Sequence, residues 1–341
     1  MRRVKLELVP GLEVEFTDRE KALRQVYELA EKGTRYPIVV YGPEGCGKTA
    51  WLKQSALVLR ELGYETLYVN PLHREATPYT DVREVALRLA EAVAEASGTA
   101  QLRLATLTVL LVRELLSRWR RGRVAVLVDD VFQAIGLDKA EVYVKELLGL
   151  IEYPPQSYER VVAIVATSEG VTRRRVGRHR WALLRSMWNM SRKGLEELYE
   201  ELRRATPGGV EDFDEVWRLT GGNPYMLSRL YQANWSRGTV VRELIVGRSL
   251  SREFVVKWRG YLEAVVEDPD AVSEPGFPEE LRAELIERNL ITYDIYFRDP
   301  ELWVDEPPPG RDLELGIGRY AAWQTPLHRE AVRAALREFS P

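Results

Sequence analysis

Apolar positions fall into two alternating patterns over the first two-thirds of the chain. Ile38-Val39-Val40-Tyr41, Val124 to Val128 and Arg160 to Ala166 contain short, nearly unbroken β-branched runs. Such runs suit parallel strands buried on both faces. Glu65 to Asn70 reads as a further strand, and Trp181 to Met190 as the last one. Between them, Thr49 to Leu62, Asp81 to Ala96, Leu102 to Arg121 and Asp138 to Ile151 carry apolar residues at helical spacing. Alternation of strand and helix predicts an α/β fold on a parallel sheet. Pro71 to Thr80 reads as a loop, and Pro154-Pro155 stops the helix before the fourth strand.

The flanks have a different rhythm. Val4 to Phe16 alternates, which suggests short extended segments. Thr17-Asp18-Arg19-Glu20 has capping-box spacing, with Thr17 as N-cap of a helix that stops near Gly33. Beyond the sheet, Leu195 to Arg204 is helical, Thr206-Pro207-Gly208-Gly209 marks a joint, and Phe213 to Leu219 leads into Gly221-Gly222-Asn223-Pro224 and another helix. From Ser251 the pattern is a helix (Phe254 to Val266), a helix running into a strand (Pro278 to Tyr293), an exposed loop at Asp305 to Gly310, a returning strand (Arg319 to Trp323) and a last helix (Pro326 to Phe339). Helices followed by a ribbon with a long tip suit a winged-helix-like domain. The expected division is 1–193, 194–250 and 251–341.

The chemistry concentrates where the sheet pattern is clearest. Gly42-Pro43-Glu44-Gly45-Cys46-Gly47-Lys48-Thr49 fits G-x-x-x-x-G-K-[ST] at every fixed position and lies between a strand and a helix. At ordinary residue frequencies the pattern arises by chance in about one chain in a hundred of this length. Glycines let backbone N–H groups curl around phosphates, and the helix N-terminus adds partial positive charge. Lys48 is then expected to reach the β- and γ-phosphates, with Thr49 a ligand of Mg²⁺. Asp129-Asp130 ends the run Val124 to Val128 about eighty residues later, at the carboxyl edge where open α/β sheets bind ligands. Asp129 is expected to hold the metal shell and Asp130 to position or activate water. Thr167-Ser168-Glu169 ends the next strand, with hydroxyls suited to sensing the γ-phosphate or to capping a helix. Val171 to Lys193 has eight basic residues and no acidic one. Arg173 and Arg174 are its candidates for a γ-phosphate arginine, but a solvated basic loop accounts for the segment as well.

Composition narrows the classes. One cysteine, Cys46, excludes an intrachain disulfide or cysteine cluster, and three histidines disfavour a histidine metal site. No apolar run approaches a membrane span, and charged residues follow Met1 where a secretory signal would be apolar, so a cytoplasmic protein is expected. Heavy, balanced charge rich in Arg is compatible with a thermophile. From Ser251 onward there are 11 basic and 19 acidic residues, a net of −8, a poor surface for a polyphosphate backbone.

With these landmarks, residues 16–231 resemble the STAND branch of AAA+-like P-loop ATPases, and most closely its archaeal ATPase family, relatives of the NB-ARC proteins. Phe16-Thr17-Asp18-Arg19-Glu20 is similar to the segment that precedes the nucleotide domain there. The resemblance implies a sheet ordered 5-1-4-3-2, a helical lid and a C-terminal winged helix. It implies nucleotide contacts from Phe16, Asp18, Arg19, the loop Pro43 to Ala50, and Pro224 against the adenine. It also implies ATP/ADP and Mg²⁺ as cofactors, Thr167 and Ser168 at the sensor position, and ATP-driven switching with possible homo-oligomers and an unknown protein partner. The absence of an Asn-Lys-x-Asp guanine-reading segment agrees with adenine. Two departures matter. Many archaeal members carry Asp-Glu where this chain has Asp129-Asp130, which implies slow hydrolysis. The Pro-Leu-Tyr-Gly-Arg run after the fourth strand is missing, so no arginine is assigned by position.

The leading reading is an ATP/Mg²⁺-dependent switch with slow hydrolysis. Its rivals are a DNA-binding ATPase of replication-initiator or transposition type, disfavoured by the −8 tail, and a scaffold that holds nucleotide without turnover.

Overall fold

A computed structural model describes residues 2–95, 97–118, 122–168, 170–205 and 211–339, apart from the side chains of Leu137, Val171, Thr172 and Arg174. The Thr206 to Gly209 joint, Glu169 and the Arg174 side chain lie outside the described residues. In chain order the elements are β1 (Lys5–Val9), β2 (Leu12–Glu15), α1 (Glu20–Lys32), β3 (Ile38–Tyr41), α2 (Lys48–Glu61), β4 (Glu65–Asn70), β5 (Glu75–Tyr79), α3 (Arg83–Ala94), α4 (Ala100–Arg118), β6 (Arg123–Asp129), α5 (Val131–Ile135), α6 (Leu137–Glu152), β7 (Arg160–Thr167), α7 (Gly170–Val176) and β8 (Leu183–Met187). There follow α8 (Arg192–Ala205), α9 (Phe213–Thr220), α10 (Pro224–Gln232), α11 (Arg237–Gly247), α12 (Arg252–Glu267), α13 (Glu279–Glu287), β9 (Ile291–Tyr293), β10 (Trp303–Val304), β11 (Ala321–Trp323) and α14 (Pro326–Glu338). The chain falls into two compact bodies, one of residues 1–4, 20–41 and 48–186, the other of residues 5–19, 42–47 and 187–341.

The first body is an α/β layer structure. Its strands stand in the order β8-β3-β7-β6-β4-β5, the first five parallel and β5 antiparallel to β4. The parallel strands thus have the expected 5-1-4-3-2 order. All four residues of β3 are buried, as a central parallel strand requires. Helices α1 and α2 pack on one face and α3 to α6 on the other, around a core that includes Val39, Leu67, Leu111, Leu115, Val126, Phe132 and Val165. Strand register fixes where the chemistry lies. Tyr41 pairs with Thr167 and Asp129 with Ala166, so β3, β6 and β7 end together at one carboxyl edge.

Three expectations need correction. Pro71 to Thr80 is not all loop: Glu75 to Tyr79 forms β5, with Pro78 opposite Leu67. Proline removes a donor, so the segment reads as loop, but it is tolerated on an edge strand. The capping box at Thr17 does not form, because α1 begins at Glu20 and Asp18 and Arg19 are left-handed, at φ 61° and 67°. The Thr17 hydroxyl instead donates to Glu197. Asp305 to Gly310 is not simply an exposed loop either, since Asp305 is 7% exposed and paired with Arg19.

In the second body, the β1–β2 hairpin packs with α8 to α10 around Val9, Val14, Leu195, Leu198, Val216 and Leu227. Helices α11, α12 and α14 pack together, and β9 pairs antiparallel with β11. Trp323 on β11 is fully buried and donates from Nε1 to the Val265 carbonyl. Pro326 begins α14, with Thr325 as its N-cap.

Candidate functional site

At the carboxyl edge of the first body, the centre is Asp129, the last residue of β6 and 1% exposed. Two groups from the end of the neighbouring strand β4, Tyr68 Oη and Asn70 Nδ2, donate to its Oδ2, each at 3.3 Å. Among the described residues nothing donates to Oδ1, an acceptor buried without a partner. A bare buried carboxylate oxygen is costly unless it meets a cation or a donor. Burial pushes the Asp129 carboxyl above the ordinary carboxylate range, opposed by the Thr49 hydroxyl, the Lys48 charge, Tyr68 and Lys53. Burial pushes the Tyr68 phenol upward, and the Asp129 and Glu75 charges add to that, while its hydrogen bond with Asn70 opposes it. The donor set therefore suits a divalent cation that keeps Asp129 ionised. No cluster of three His, Cys, Asp or Glu among the described residues could hold a metal alone. One hydroxyl and one carboxylate leave the remaining positions of a Mg²⁺ shell to water and phosphate oxygens.

Lys48 opens α2 and is buried at 6% exposed, with Thr49 and Ala50 in the same first turn. Helix N-termini leave N–H groups unpaired, which suits an anion there. Lys53, one turn on, pairs with Glu75 of β5 at 2.7 Å. Asp130 follows Asp129 in a left-handed conformation (φ 47°, ψ 28°), and its N–H donates to the Ala166 carbonyl at 3.0 Å. Aspartate tolerates this region better than most residues. It stands at the N-cap of α5 but makes no side-chain cap bond. Thr167 is fully buried at the end of β7, and Ser168 accepts a 3.4 Å hydrogen bond from Gln133. Arg173 lies on α7, where Arg175 pairs with Asp138 at 2.7 Å.

The loop Gly42 to Gly47 groups with the second body. Cys46 N–H closes a turn on the Pro43 carbonyl, and Gly45 and Gly47 take φ values of 74° and 100°. Glu44 has several partners. Its N–H donates to Gln324 Oε1 at 2.9 Å, its carbonyl accepts from Asn223, and its carboxylate pairs with Arg248 at 2.6 Å. The Glu44 carboxylate, Arg248, Arg229, Tyr225, Met226 and Leu244 help to line a cavity of about 550 Å³. Pro224 starts α10 behind the cap Asn223. Phe16 is buried, and the Asp18 carboxylate accepts from the Ser191 N–H and hydroxyl ahead of α8. The Arg19 guanidinium is bonded to the Cys46 and Trp188 carbonyls and to Asp305.

Gly42 has no room for a side chain. A Cβ there would stand 2.2 Å from the Met187 carbonyl oxygen, which is backbone and cannot turn aside. Gly42→Ala should therefore lower stability by about 1–3 kcal/mol. Thermal denaturation checks this, and an unchanged melting temperature contradicts the close packing.

Sequence reasoning missed Tyr68, Asn70, Gln324, Arg248 and Asp305. Asn70 left a signal: a polar residue ending a buried strand at the carboxyl edge. Gln324, Arg248 and Asp305 left none, because only the tertiary fold brings them to the loop.

The profile of an ATPase domain predominantly from Archaea matches residues 16–230. No curated protein matches the chain. Among solved structures, the chain is similar to the Walker-type ATPase of Pyrococcus abyssi at 16% identity, covering 93% of this chain and 96% of that one, with a TM-score of 0.46. It is also similar to the Aeropyrum pernix Orc1 protein in complex with DNA (16% identity, 97% and 95% covered, TM-score 0.42). A third is AMPPCP-bound DnaA from Aquifex aeolicus (16% identity, 75% of each chain covered, TM-score 0.38).

Proposed function

Because the chain belongs to the family of ATPase domains found predominantly in Archaea, we propose that it is a STAND-type switch that binds ATP with Mg²⁺ and hydrolyses it slowly. The observation that carries this reading is the buried, unpartnered Oδ1 of Asp129 beside Thr49 and Lys48. In this reading the loop Pro43 to Ala50 binds the phosphates, with Lys48 neutralising the β- and γ-oxygens. Thr49 and Asp129 would hold Mg²⁺, which when bound with ATP offsets charge on the phosphate oxygens. Tyr68 and Asn70 hold Asp129 by Oδ2, which leaves Oδ1 as the oxygen that would ligate the cation. Asp130 orients or activates the water that attacks the γ-phosphorus as the bond to the ADP oxygen breaks. Thr167 and Ser168 sense the γ-phosphate, and Arg173 or Arg174 neutralises developing charge. Following the family resemblance, Phe16, Asp18 and Pro224 lie against the adenine, whereas Arg19, which the resemblance also implies, is turned onto the Cys46 and Trp188 carbonyls.

The same resemblance supports three parts, an ATPase domain (1–193), a helical lid (194–250) and a winged-helix-like domain (251–341). A change of conformation on ATP binding would regulate a protein partner, with a homo-oligomer in the ATP state, in the cytoplasm. DNA is the less favoured partner because residues 251–341 carry a net charge of −8. No described helix is long and apolar enough to cross a membrane.

Single-turnover phosphate release, with molecular mass measured in ATP and in ADP, tests the switch. Asp130→Asn should keep ATP affinity but slow release by about a hundredfold, the usual worth of a positioned base. Bound ATP that the wild type never cleaves would leave only the scaffold reading. Duplex binding with a steep salt dependence would favour the DNA reading.

A further inference from the structure

We infer that Arg19 and Asn223 are positioning residues that set the phosphate loop from outside, by fixing two of its peptide planes, and that Asp305 holds Arg19 in place. The inference rests on the reading of Gly42 to Thr49 as the ATP-binding loop. Arg19 is 3% exposed. Its Nη2 donates to the Cys46 carbonyl at 2.6 Å and the Trp188 carbonyl at 2.8 Å, and its Nη1 donates to Asp305 Oδ2 at 3.0 Å. Asn223 Nδ2 donates to the Glu44 carbonyl and to Asn189 Oδ1, both at 2.9 Å, while its Oδ1 accepts from the Met226 N–H. Asn189 Nδ2 in turn donates to the Gln324 carbonyl. Only one orientation of each amide satisfies every bond in this chain.

The consequence follows from peptide geometry. The described residues contain no cis peptide bond, and in a trans peptide the carbonyl and the next N–H point in opposite directions. Tying the Glu44 carbonyl to Asn223 turns the Gly45 N–H away from Asn223. Tying the Cys46 carbonyl to Arg19 turns the Gly47 N–H away from Arg19. The N–H between them, on Cys46, is already bonded to the Pro43 carbonyl within the loop. Among the described residues no protein group accepts from Gly45 N–H or Gly47 N–H. Successive backbone donors held in this way form an anion nest. A guanidinium behind the Cys46 carbonyl also polarises that peptide and strengthens the donor on its far side. Asp305 supplies the counter-charge without which Arg19 would be a buried, uncompensated cation.

A nest of this kind reads the β-phosphate of ADP and ATP, which AMP lacks. The readout is therefore the ratio of ADP to AMP affinity, measured calorimetrically on the full chain, with melting temperatures alongside. Arg19→Lys keeps the charge but loses the fork that spans three acceptors. Asn223→Asp keeps the acceptor for Met226 N–H but loses the donor to Glu44. Each should weaken ADP binding about tenfold, the scale for losing a charged or buried hydrogen bond, with AMP binding changed by less than about twofold. Asp305→Asn should act in the same direction as Arg19→Lys. A merely structural role would lower the melting temperature and leave the ratio alone. An unchanged ratio in folded Arg19→Lys and Asn223→Asp overturns the inference, and these two decide the matter if Asp305→Asn does not fold. Undiminished ADP binding by Lys48→Ala would instead overturn the phosphate-loop reading itself.

Discussion

Lys48→Ala is expected to weaken ATP binding by about a hundredfold or more, the scale for truncating one partner of a buried, charge-assisted contact. The lysine starts α2 at 6% exposed, so its ammonium is desolvated before any ligand arrives. Two further effects act through Asp129. Lys48 is one of the charges that hold the Asp129 carboxyl down against its burial, so its loss pushes that group further up. A carboxyl that is harder to ionise is also a poorer metal ligand. ATP affinity should therefore fall, and its dependence on Mg²⁺ should fall with it. Calorimetric titration with ATP, with and without Mg²⁺, reads both. Wild-type affinity in the variant would remove Lys48 from the site.

Asp129→Asn should have effects of opposite sign on stability and on binding. Burial raises the carboxyl above its unfolded value. The neutral form is thus favoured in the folded protein, and stability falls as pH rises from the ordinary carboxylate range through the raised one. An asparagine can keep the acceptor for Tyr68 and Asn70 without that cost, so at neutral pH the nucleotide-free variant should have a higher melting temperature. The gain should vanish at acidic pH, where the wild-type carboxyl is already neutral. Binding should suffer by contrast, because Mg²⁺ loses its anionic ligand and no longer tightens the complex with ATP. Melting curves at two pH values, with and without Mg²⁺ and ATP, separate these terms. A variant that is less stable than wild type without nucleotide would contradict the balance of burial and charge at this position.

The sheet was legible because each parallel strand is buried on both faces, and such burial leaves an unbroken β-branched run like Val124 to Val128. The edge strand β5 was not, since Glu75-Ala76-Thr77-Pro78-Tyr79 is half-buried throughout and carries a proline. Lys48, Thr49 and Asp129 were readable because a local motif and a strand end are one-dimensional features. The partners of the loop were not. Asp305 lies 286 residues from Arg19, in a stretch whose prolines suggest a solvated turn. Its burial depends on finding one particular guanidinium, and no periodicity encodes that. The capping-box spacing at Thr17 misled for a related reason. Arg19 takes a left-handed backbone and reaches inward to the Cys46 carbonyl, and tertiary bonds outweigh a surface cap of about 1 kcal/mol.

Strand β5 also bears on how copies of the chain could associate. An open parallel sheet invites growth by strand addition, the route to swapped dimers and fibres. Here the invitation is poor: the outermost strand of the first body on that side has five residues, runs against its neighbour and carries Pro78. An incoming strand would find a short, interrupted ladder. Growth of the sheet by strand addition at β5 is therefore disfavoured.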